Sequence, residues 1–236
     1  MHEPRFAIYF VPPTDSTLYR FGAGFLGYDC YTGKDLGASD AVELGLSDWT
    51  ALTQAPRIYG FHATLKAPFY LAPMTTESEL AAELERFGAV PRPLPAFEPA
   101  VRVLGRFVAI VPGTTNAAVD RLAADCVTAF DRFRQPLGDE ERRKRLDAEL
   151  SQRQIENLDR WGYPFVFEDF RFHMTLTGPI EEDRRRAEIV ALLQDRFAAA
   201  CGGAPLSVTR LALLRQERPS TPFRVVCHAN LTVTFS

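Results

Sequence analysis

The chain has 236 residues, of which 46% are hydrophobic and 24% are charged, and its formal net charge is −3. This balance is that of an ordinary globular protein and excludes a disordered, collagen-like or disulfide-knotted chain. The negative charge argues against long nucleic acid as the main partner, because binding along a phosphate backbone usually needs a basic excess. A small anionic substrate held by a few local groups remains compatible with it.

The first half of the chain begins with a predicted strand from Arg5 to Pro12. The segment from Tyr19 to Tyr28 is rich in glycine and aromatic residues and predicts a turn-rich connection. Residues 61–68 have strand character, and an acidic-started helical pattern runs from Glu77 to Phe87. A further strand is predicted from Ala100 to Leu104.

The second half repeats this order. After a strand from Arg106 to Pro112, the charged stretch from Leu137 to Arg160 predicts a helical insertion, either a solvated helix or a flap over the site. Residues 172–179 have strand character, and the helix predicted from Glu181 to Ala200 starts with acidic residues that suit the positive end of its dipole. Strands are also predicted over Leu206–Leu214 and Phe223–Phe235.

An internal echo relates the two halves. The segment FHATLKAP at 61–68 recurs as FHMTLTGP at 172–179, each after a strand that ends in proline and before a helix. Such a repeat predicts two similar α+β lobes, each supplying half of one shared motif. We therefore expect residues 1–236 to form one functional domain.

The repeated His-x-Thr pattern places residue types that can transfer protons and bind phosphate. On a strand, residues i and i+2 point to one face, so His62 shares a face with Thr64, and His173 shares one with Thr175. One such pair most often marks a buried structural histidine, but two matching copies favour a site. In phosphodiester hydrolysis, a neutral imidazole can deprotonate the attacking water, and a protonated imidazole can donate a proton to the leaving oxygen without a metal. The threonine hydroxyls can donate to the non-bridging phosphate oxygens.

Three segments extend this pattern, namely RFGA at 20–23, YGFHATLKAP at 59–68 and FRFHMTLTG at 170–178. With them the chain resembles the two-histidine phosphoesterase superfamily, and more narrowly its branch encoded with bacterial phosphonate-metabolism operons. The resemblance implies an α+β fold with two pseudo-symmetric lobes, each an antiparallel sheet backed by helices, around a central cleft that carries both motifs. It also implies His62 and His173 as catalytic residues, Thr64 and Thr175 as phosphate-binding residues, and no metal or other cofactor.

Five further residues are candidate substrate contacts. Lys66 and Thr177 occupy equivalent positions two residues after the threonines, where alternation places them on the histidine face. Arg20 in the glycine-rich connection could anchor a second phosphate, whereas Tyr59 and Arg171 flank the motifs. A near-symmetric pair does not indicate which histidine is the acid and which is the base.

We expect a metal-independent phosphoesterase that opens a small cyclic phosphate, such as a ribosyl cyclic phosphate from phosphonate breakdown. Two alternatives stay open. One is an RNA 2′,3′-cyclic phosphodiesterase, for which residues 142–145 and 184–186 are the candidate basic track. The other is a non-catalytic module that binds a phosphorylated nucleotide or sugar. The expected partner is a small phosphorylated substrate rather than nucleic acid or a membrane, on a monomer or weak dimer.

Location and redox state follow from the apolar runs and the cysteines. The first apolar stretch, Phe6 to Val11, is too short for a signal peptide, and no uncharged run approaches the ~20 residues of a membrane span. The four cysteines, Cys30, Cys126, Cys201 and Cys227, form no C-x-x-C pair. We therefore expect reduced thiols in a cytoplasmic protein with no metal site.

Overall fold

A computed structural model describes residues 3–38, 44–147 and 149–234. The strands are β1 Arg5–Phe10, β2 Tyr28–Asp29, β3 Lys34–Asp35, β4 Ala63–Tyr70, β5 Ala96–Phe97, β6 Pro99–Leu104, β7 Phe107–Pro112, β8 Met174–Thr175, β9 Leu206–Ser207, β10 Arg210–Gln216 and β11 Arg224–Asn230. The helices are α1 Thr17–Leu26, α2 Trp49–Arg57, α3 Glu77–Ala89, α4 Ala117–Ala129, α5 Asp139–Leu146, α6 Gln152–Trp161 and α7 Asp183–Cys201.

Seven strands form one antiparallel sheet in the order β11-β10-β1-β4-β8-β7-β6. The predicted α+β class, an antiparallel sheet with helices, is therefore confirmed. The expected sheet in each lobe takes a different form, because both halves belong to one sheet and meet where β4 pairs with β8. The C-terminal strands β10 and β11 join the half that contains β1.

The strand order around β4 and β8 has a local twofold symmetry. Ala63 and Met174 hold equivalent positions in the echo, and they are paired with each other across the two strands. Each motif strand is flanked on its outer side by the strand that precedes it in its own half, β1 beside β4 and β7 beside β8. The pseudo-twofold axis therefore passes between the two motifs.

The apolar alternates of both motifs are buried, as alternation predicts. Phe61, Ala63 and Leu65 lie in the core from one half, and Phe172, Met174 and Leu176 lie there from the other. Helix α3 packs on β10 and β11, α7 packs on β6 and β7, and α4 packs on β4. One face of each motif strand is thus fixed by apolar burial, which leaves the other face for His62 and His173.

Helix α7 confirms the helix predicted from Glu181 to Ala200. Its buried residues Ile189, Leu193 and Phe197 recur every four residues, which is the spacing of one helix face. Helix α3, predicted from Glu77 to Phe87, extends two residues further, and Thr76 and Glu79 form a reciprocal capping box at its start.

The glycine-rich connection predicted for Tyr19 to Tyr28 is wrong, because most of this segment belongs to helix α1. The Ser16 hydroxyl caps the helix by accepting the Tyr19 N–H at 3.1 Å. The helix ends at Gly27, whose φ of 70° is the left-handed conformation that favours glycine at this position. Glycine in the helix interior lowers its intrinsic propensity, but tertiary packing overrides that weak preference.

A close approach explains the interior glycine Gly22. A Cβ atom added there would lie 2.3 Å from carbons of the Phe61 ring. Only a residue without a side chain lets α1 lie directly against the residue that precedes His62.

Several other elements differ from expectation. The charged stretch 137–160 contains two helices, α5 and α6, rather than one. Helices α2 and α4 had no counterpart among the predicted elements. Strand β11 ends at Asn230, and Phe235, the last residue of the strand predicted there, lies outside the described residues.

All four cysteines are free thiols. No helix in the described part of the chain is long and apolar enough to cross a membrane.

The contact between Gly22 and Phe61 predicts that Gly22→Ala destabilises the protein by about 1–3 kcal/mol, because the added methyl group overpacks the helix against the ring. Urea unfolding followed by circular dichroism measures this change. The matched control is Gly138→Ala, since no atom lies within 4 Å of a Cβ placed at Gly138. Equal midpoints for Gly22→Ala and the wild type would contradict the packing argument.

Candidate active site

The register between β4 and β8 arranges the four motif residues on one face. With Ala63 opposite Met174 in an antiparallel pair, His62 falls beside Thr175 and Thr64 falls beside His173. Two cavities follow the same pairing. One of about 340 Å³ is lined by Thr64 and His173, and another of about 230 Å³ is lined by His62 and Thr175. Each histidine therefore shares a cavity with the threonine of the other motif.

Backbone carbonyls fix the tautomers of both imidazoles. The Nδ1 of His62 lies 2.9 Å from the carbonyl oxygen of Gly60, and the Nδ1 of His173 lies 2.8 Å from that of Arg171. Because a carbonyl oxygen only accepts, Nδ1 carries the proton in both rings. The Nε2 of His62 therefore accepts the Thr64 hydroxyl at 3.1 Å. In the neutral state, each ring keeps an Nε2 lone pair.

The surroundings of the two histidines differ despite this symmetry. The Tyr9 ring stacks on the His62 ring with the centroids 3.8 Å apart and the planes at 21°. Tyr9 pairs with Thr64 in the sheet, and its structural counterpart, paired with Thr175, is Ala109. Because Ala109 has no ring, it cannot stack on His173 as Tyr9 stacks on His62. The ring beside His173 is that of Phe107, and the two ring centroids are 5.7 Å apart. His62 is held between neighbours more firmly than His173.

Burial shifts the pKa of each histidine downward. The pKa of His62 is lowered to about 4, mainly by burial; the bond to the Gly60 carbonyl opposes this shift, and the nearby charge of His173 adds to it. Burial also lowers the pKa of His173, against the bond to the Arg171 carbonyl. Both imidazoles are therefore predominantly neutral at pH 7, and His62 has the lower affinity for protons.

Tyr9 contributes an uncharged wall beneath His62. Burial raises the pKa of Tyr9 well above its ordinary value, and the neighbouring tyrosines Tyr59 and Tyr163 add to this, while Arg5 and a hydrogen bond with Thr64 oppose it. Tyr9 therefore stays protonated across the working range of pH. Through its ring and its hydroxyl it contacts both members of the first motif.

Lys66 does not share the histidine face, contrary to expectation. Tyr9 pairs with Thr64, but its neighbour Ile8 pairs with Lys66, so β4 has one extra residue at this point. This β-bulge turns Lys66 to the buried face of Ile8. There its ammonium group donates to the Val127 carbonyl at 2.9 Å and forms an ion pair of 3.0 Å with Asp131. Burial lowers the pKa of Lys66 to about 8, and Asp131 opposes this shift.

Thr177 occupies the position in the second motif that is equivalent to Lys66, and a β-bulge likewise turns it away from the histidine face. The N–H groups of Leu176 and Thr177 both donate to the Val108 carbonyl, at 2.9 and 3.2 Å, which is the pattern of a bulge after the second motif. The Thr177 hydroxyl accepts the Val108 N–H at 3.0 Å and donates to the Gly178 carbonyl at 2.9 Å. Thr177 borders the smaller cavity, but its hydroxyl already has backbone partners on both sides.

The other three candidates lie at different distances from the motifs. Arg20 is exposed on α1 and donates to the Asp15 carbonyl at 2.7 Å. Tyr59 borders the smaller cavity with His62, and its ring stacks on Phe223 at 5.5 Å. Arg171 is exposed and borders the larger cavity with His173. The structure thus brings Tyr59 and Arg171 to the site.

Sequence reasoning missed the aromatic lining of the larger cavity. This lining comprises Phe107, Tyr163, Phe165, Phe167 and Phe170. The segment WGYPFVFEDFRF at 161–172 leads directly into the second motif, and its density of aromatic rings was the available signal. It also missed Tyr9, which alternation with the buried Ile8 could have placed on the motif face. In the described ranges, no group of three or more His, Cys, Asp or Glu side chains could hold a metal ion.

Comparison with known proteins places the chain in a family. A family model described as a protein of unknown function, DUF1045, matches residues 64–224. The chain belongs to the DUF1045 family. Its match includes Thr64 and the whole second motif.

Two curated relatives of this DUF1045 chain are named ribose 1,5-bisphosphate phosphokinase PhnN. The protein from Janthinobacterium sp. (strain Marseille) is 35% identical over 93% of the chain and 49% of its own length. The protein from Laribacter hongkongensis (strain HLHK9) is 31% identical over 94% of the chain and 50% of its own length. The chain therefore spans about half the length of the curated relatives it matches.

Two solved structures to which the chain is similar over nearly its whole length have low sequence identity to it. E. coli LigT complexed with 3′-AMP has 13% sequence identity and a TM-score of 0.43, over 98% of this chain and 99% of that one. TT0787 of Thermus thermophilus has 13% identity and a TM-score of 0.44, over 98% of this chain and 100% of that one.

The electrostatic coupling of the two rings predicts a shift that nuclear magnetic resonance can measure. The His62 imidazole should titrate near pH 4 in the wild type, and its pKa should rise in His173→Gln, because the nearby positive charge is then absent. Nitrogen-detected titration of labelled histidine reports each ring separately. The matched control is His228→Gln on the exposed side of β11. An unchanged His62 titration in His173→Gln would show that the rings do not sense each other.

Proposed function

We propose that this protein is a phosphoesterase that opens a small cyclic phosphate by general acid–base catalysis with His62 and His173. The observation that supports this most directly is the pairing of the two motif strands at Ala63 and Met174. It sets the histidines diagonally across neighbouring strands, where residues lie about 7–8 Å apart and their Cβ atoms somewhat closer. That separation leaves space for one phosphorus atom between two imidazoles.

The threonines complete the phosphate site in this proposal. Thr64 lies beside His173 and Thr175 lies beside His62, so the hydroxyls occupy the other diagonal of the same rectangle. In this proposal the Thr64 hydroxyl turns from His62 Nε2 to one non-bridging oxygen when substrate binds, which frees the Nε2 lone pair for catalysis. The Thr175 hydroxyl donates to the other non-bridging oxygen, as negative charge increases on both while phosphorus becomes five-coordinate. The two histidines and two threonines then surround the phosphorus atom, and phosphate binding requires no basic surface around the site.

The reaction uses one proton transfer at each histidine. One neutral imidazole takes a proton from water through Nε2, and the water oxygen forms a bond to phosphorus. The bond between phosphorus and one ring oxygen breaks, and the second imidazole, protonated beforehand, gives its Nε2 proton to that oxygen. The product is an acyclic phosphate monoester, and the proton taken from water replaces the one that was given away.

Within this proposal, the asymmetry of the site supports different roles for the two histidines. His62 has the pKa of about 4, accepts the Thr64 hydroxyl at Nε2 and is stacked on Tyr9, so it stays neutral and fixed as the general base. Among the described residues no ring is stacked on His173, whereas the Nδ1–H bond to a backbone carbonyl favours the protonated ring at both histidines alike. We therefore assign His173 as the general acid.

The curated relatives support a ribosyl substrate. Their name describes a kinase that acts on ribose 1,5-bisphosphate. This chain contains no Gly-x₄-Gly-Lys-Ser/Thr segment, the phosphate-binding loop of many kinases, so we do not propose that kinase activity for it. A phosphoesterase joined to such a kinase would be placed to open a ribosyl cyclic phosphate and release a ribosyl monoester.

Loss of either histidine tests this proposal. His62→Ala and His173→Ala should each lower kcat by about 10²–10⁴-fold, since each removes one proton-transfer group. Hydrolysis of ribose 1,2-cyclic phosphate followed by phosphorus NMR measures the rate in EDTA-treated protein. His228→Ala, which changes an exposed histidine, should keep the wild-type rate. Full activity in either motif variant would overturn the mechanism.

The pKa shifts predict the pH dependence of kcat/KM, which reports the free enzyme. The value should rise as pH increases through about 4, because His62 must lose its proton to act as base. It should fall again as His173 loses its proton, and burial places this limb below the ordinary histidine pKa of 6.5. The optimum therefore lies on the acid side of neutrality. An optimum above pH 8 would exclude this assignment.

The aromatic cavity favours one second candidate, a nucleoside cyclic phosphate. Phe107, Tyr163 and Phe165 line the larger cavity beside His173 and offer ring faces on which a base could stack. A long RNA fits less well, because carboxylates pair with most of the basic clusters. These pairs are Arg142 with Asp159, Lys144 with Glu140, Arg184 with Glu188, Arg185 with Asp48 and Arg186 with Asp183. Parallel rates on ribose 1,2-cyclic phosphate and a nucleoside 2′,3′-cyclic phosphate decide between the two small substrates.

A further inference from the structure

The larger cavity has a carboxylate in its lining that the proposed reaction does not use. Asp169 borders this cavity, and its side chain is only 10% exposed. Its oxygens accept Nε–H and Nη2–H of Arg153 at 2.7 and 3.0 Å, and the Gln154 amide at 3.1 Å. The bonds from Arg153 hold the pKa of Asp169 below its ordinary value, so the carboxylate is charged at neutral pH. A charge with three such donors is fixed in place.

These donors come from one face of α6. Arg153 and Gln154 lie one turn before Asn157, whose amide donates to the Pro164 carbonyl at 3.3 Å. Gln154 also forms the capping box with Ser151 at the start of the helix. The helix therefore holds the segment that follows it at two points, Pro164 and Asp169.

The other end of α6 is connected to the first motif strand. Arg134 donates to the Arg160 carbonyl at 2.9 Å, at the end of the helix where the dipole favours a cation. Arg134 also pairs with Asp131 at 2.8 Å, and the same carboxylate pairs with Lys66 of β4 at 3.0 Å. Helix α6 is thus anchored to the sheet and can support the residues that it contacts.

The supported segment contains a strained residue. Phe167 has a φ of 53°, in the left-handed region that a residue with an aromatic side chain rarely adopts. It opens the short turn Phe167–Asp169, and it borders the larger cavity. Such a conformation persists only where surrounding contacts determine it. The bonds of Asp169 to α6 supply such contacts at the last residue of this turn.

This turn leads directly to the second catalytic histidine of the proposal. The Arg171 carbonyl accepts Nδ1–H of His173 at 2.8 Å. Arg171 lies between Asp169, which is bonded to α6, and Phe172, which is buried in the core. Because the chain is fixed on both sides, the carbonyl that orients His173 has little freedom to move.

The first motif achieves the same arrangement by a shorter route. The Gly60 carbonyl that holds His62 comes just after α2, and the Gly60 N–H donates to the carbonyl of Arg57 at the end of that helix, at 3.1 Å. Helix α6 ends at Trp161, well before His173, so backbone bonds at its end cannot do this. A side chain has to make the connection in the second motif.

We propose that Asp169 is a positioning residue, which fixes residues 167–171 to α6 and so directs the Nε2 of His173 at the leaving oxygen. This inference rests on the proposed function, in which His173 is the general acid. The bond between Nδ1–H and the Arg171 carbonyl sets the tautomer and the plane of the imidazole, so a displaced carbonyl misdirects the proton that Nε2 gives. Asp169 itself contacts neither the phosphate nor the proton.

Two substrates that differ in their need for an acid test this role. Ribose 1,2-cyclic phosphate expels a sugar oxygen that needs a proton, whereas methyl p-nitrophenyl phosphate expels a stable phenolate that needs none. Asp169→Asn presents amide hydrogens to N–H donors and breaks part of the network. It should lower kcat on the cyclic phosphate by about 10–10²-fold and leave the rate on the aryl ester nearly unchanged.

Nitrogen NMR of labelled histidine gives a second measurement. The wild type should show His173 protonated at Nδ1, and Asp169→Asn should add the Nε2-protonated tautomer. Arg153→Ala, which removes an exposed donor, should change both measurements in the same direction and serves if Asp169→Asn does not fold. The matched control is Asp159→Asn, which breaks the paired bonds to Arg142 between α6 and α5 and should keep wild-type behaviour in both.

The outcomes separate the positioning role from the chemistry. If Asp169→Asn slows both substrates by the same factor, or leaves the His173 tautomer unchanged, the positioning role is refuted and the proposed function stands. If the wild type hydrolyses neither substrate, the proposed function fails, and the tautomer alone decides: a changed His173 tautomer in Asp169→Asn supports the positioning role, and an unchanged one refutes it.

Discussion

The geometry of the candidate site depends on one backbone pairing, that of Ala63 with Met174. These residues are equivalent in the sequence repeat, so their pairing places a local twofold axis between the motifs and sets all four polar side chains on one face. A slip of one residue in either strand would turn that strand's histidine and threonine into the core and its apolar alternates out of it. The burial of Phe61, Leu65 and their counterparts opposes any such slip.

On this symmetric frame, the two histidines have acquired different environments. The difference arises in the neighbouring strands, where Tyr9 of β1 and Ala109 of β7 occupy equivalent positions but differ in size. A buried ring is stacked on one face of His62 and restricts the imidazole, whereas the Phe107 ring beside His173 is tilted and lies farther away. Acid–base catalysis needs one group that releases a proton and another that accepts one, so a repeat that stayed fully symmetric would serve it less well.

Alternation along the strands predicted much of this site from the sequence. It correctly placed Phe61, Ala63 and Leu65 in the core and His62 with Thr64 on the opposite face. It failed at Lys66, because a β-bulge is a property of the pairing between two strands and leaves no mark in one strand alone. Helix α1 failed for a related reason, since the approach of the Phe61 ring that explains Gly22 becomes visible only after the tertiary contacts form.

The strand order also constrains how the protein folds during synthesis. β1 carries Tyr9, and on the side away from β4 it pairs with β10, about two hundred residues later in the chain, with Tyr9 opposite Ala212. The ribosome must therefore release nearly all of the described chain before the strand beneath His62 gains its second neighbour. Contacts of such long sequence separation form slowly. Until they form, β1 has an open edge that can pair with other chains, so a deeply buried strand of the mature sheet is also an aggregation risk in the nascent one.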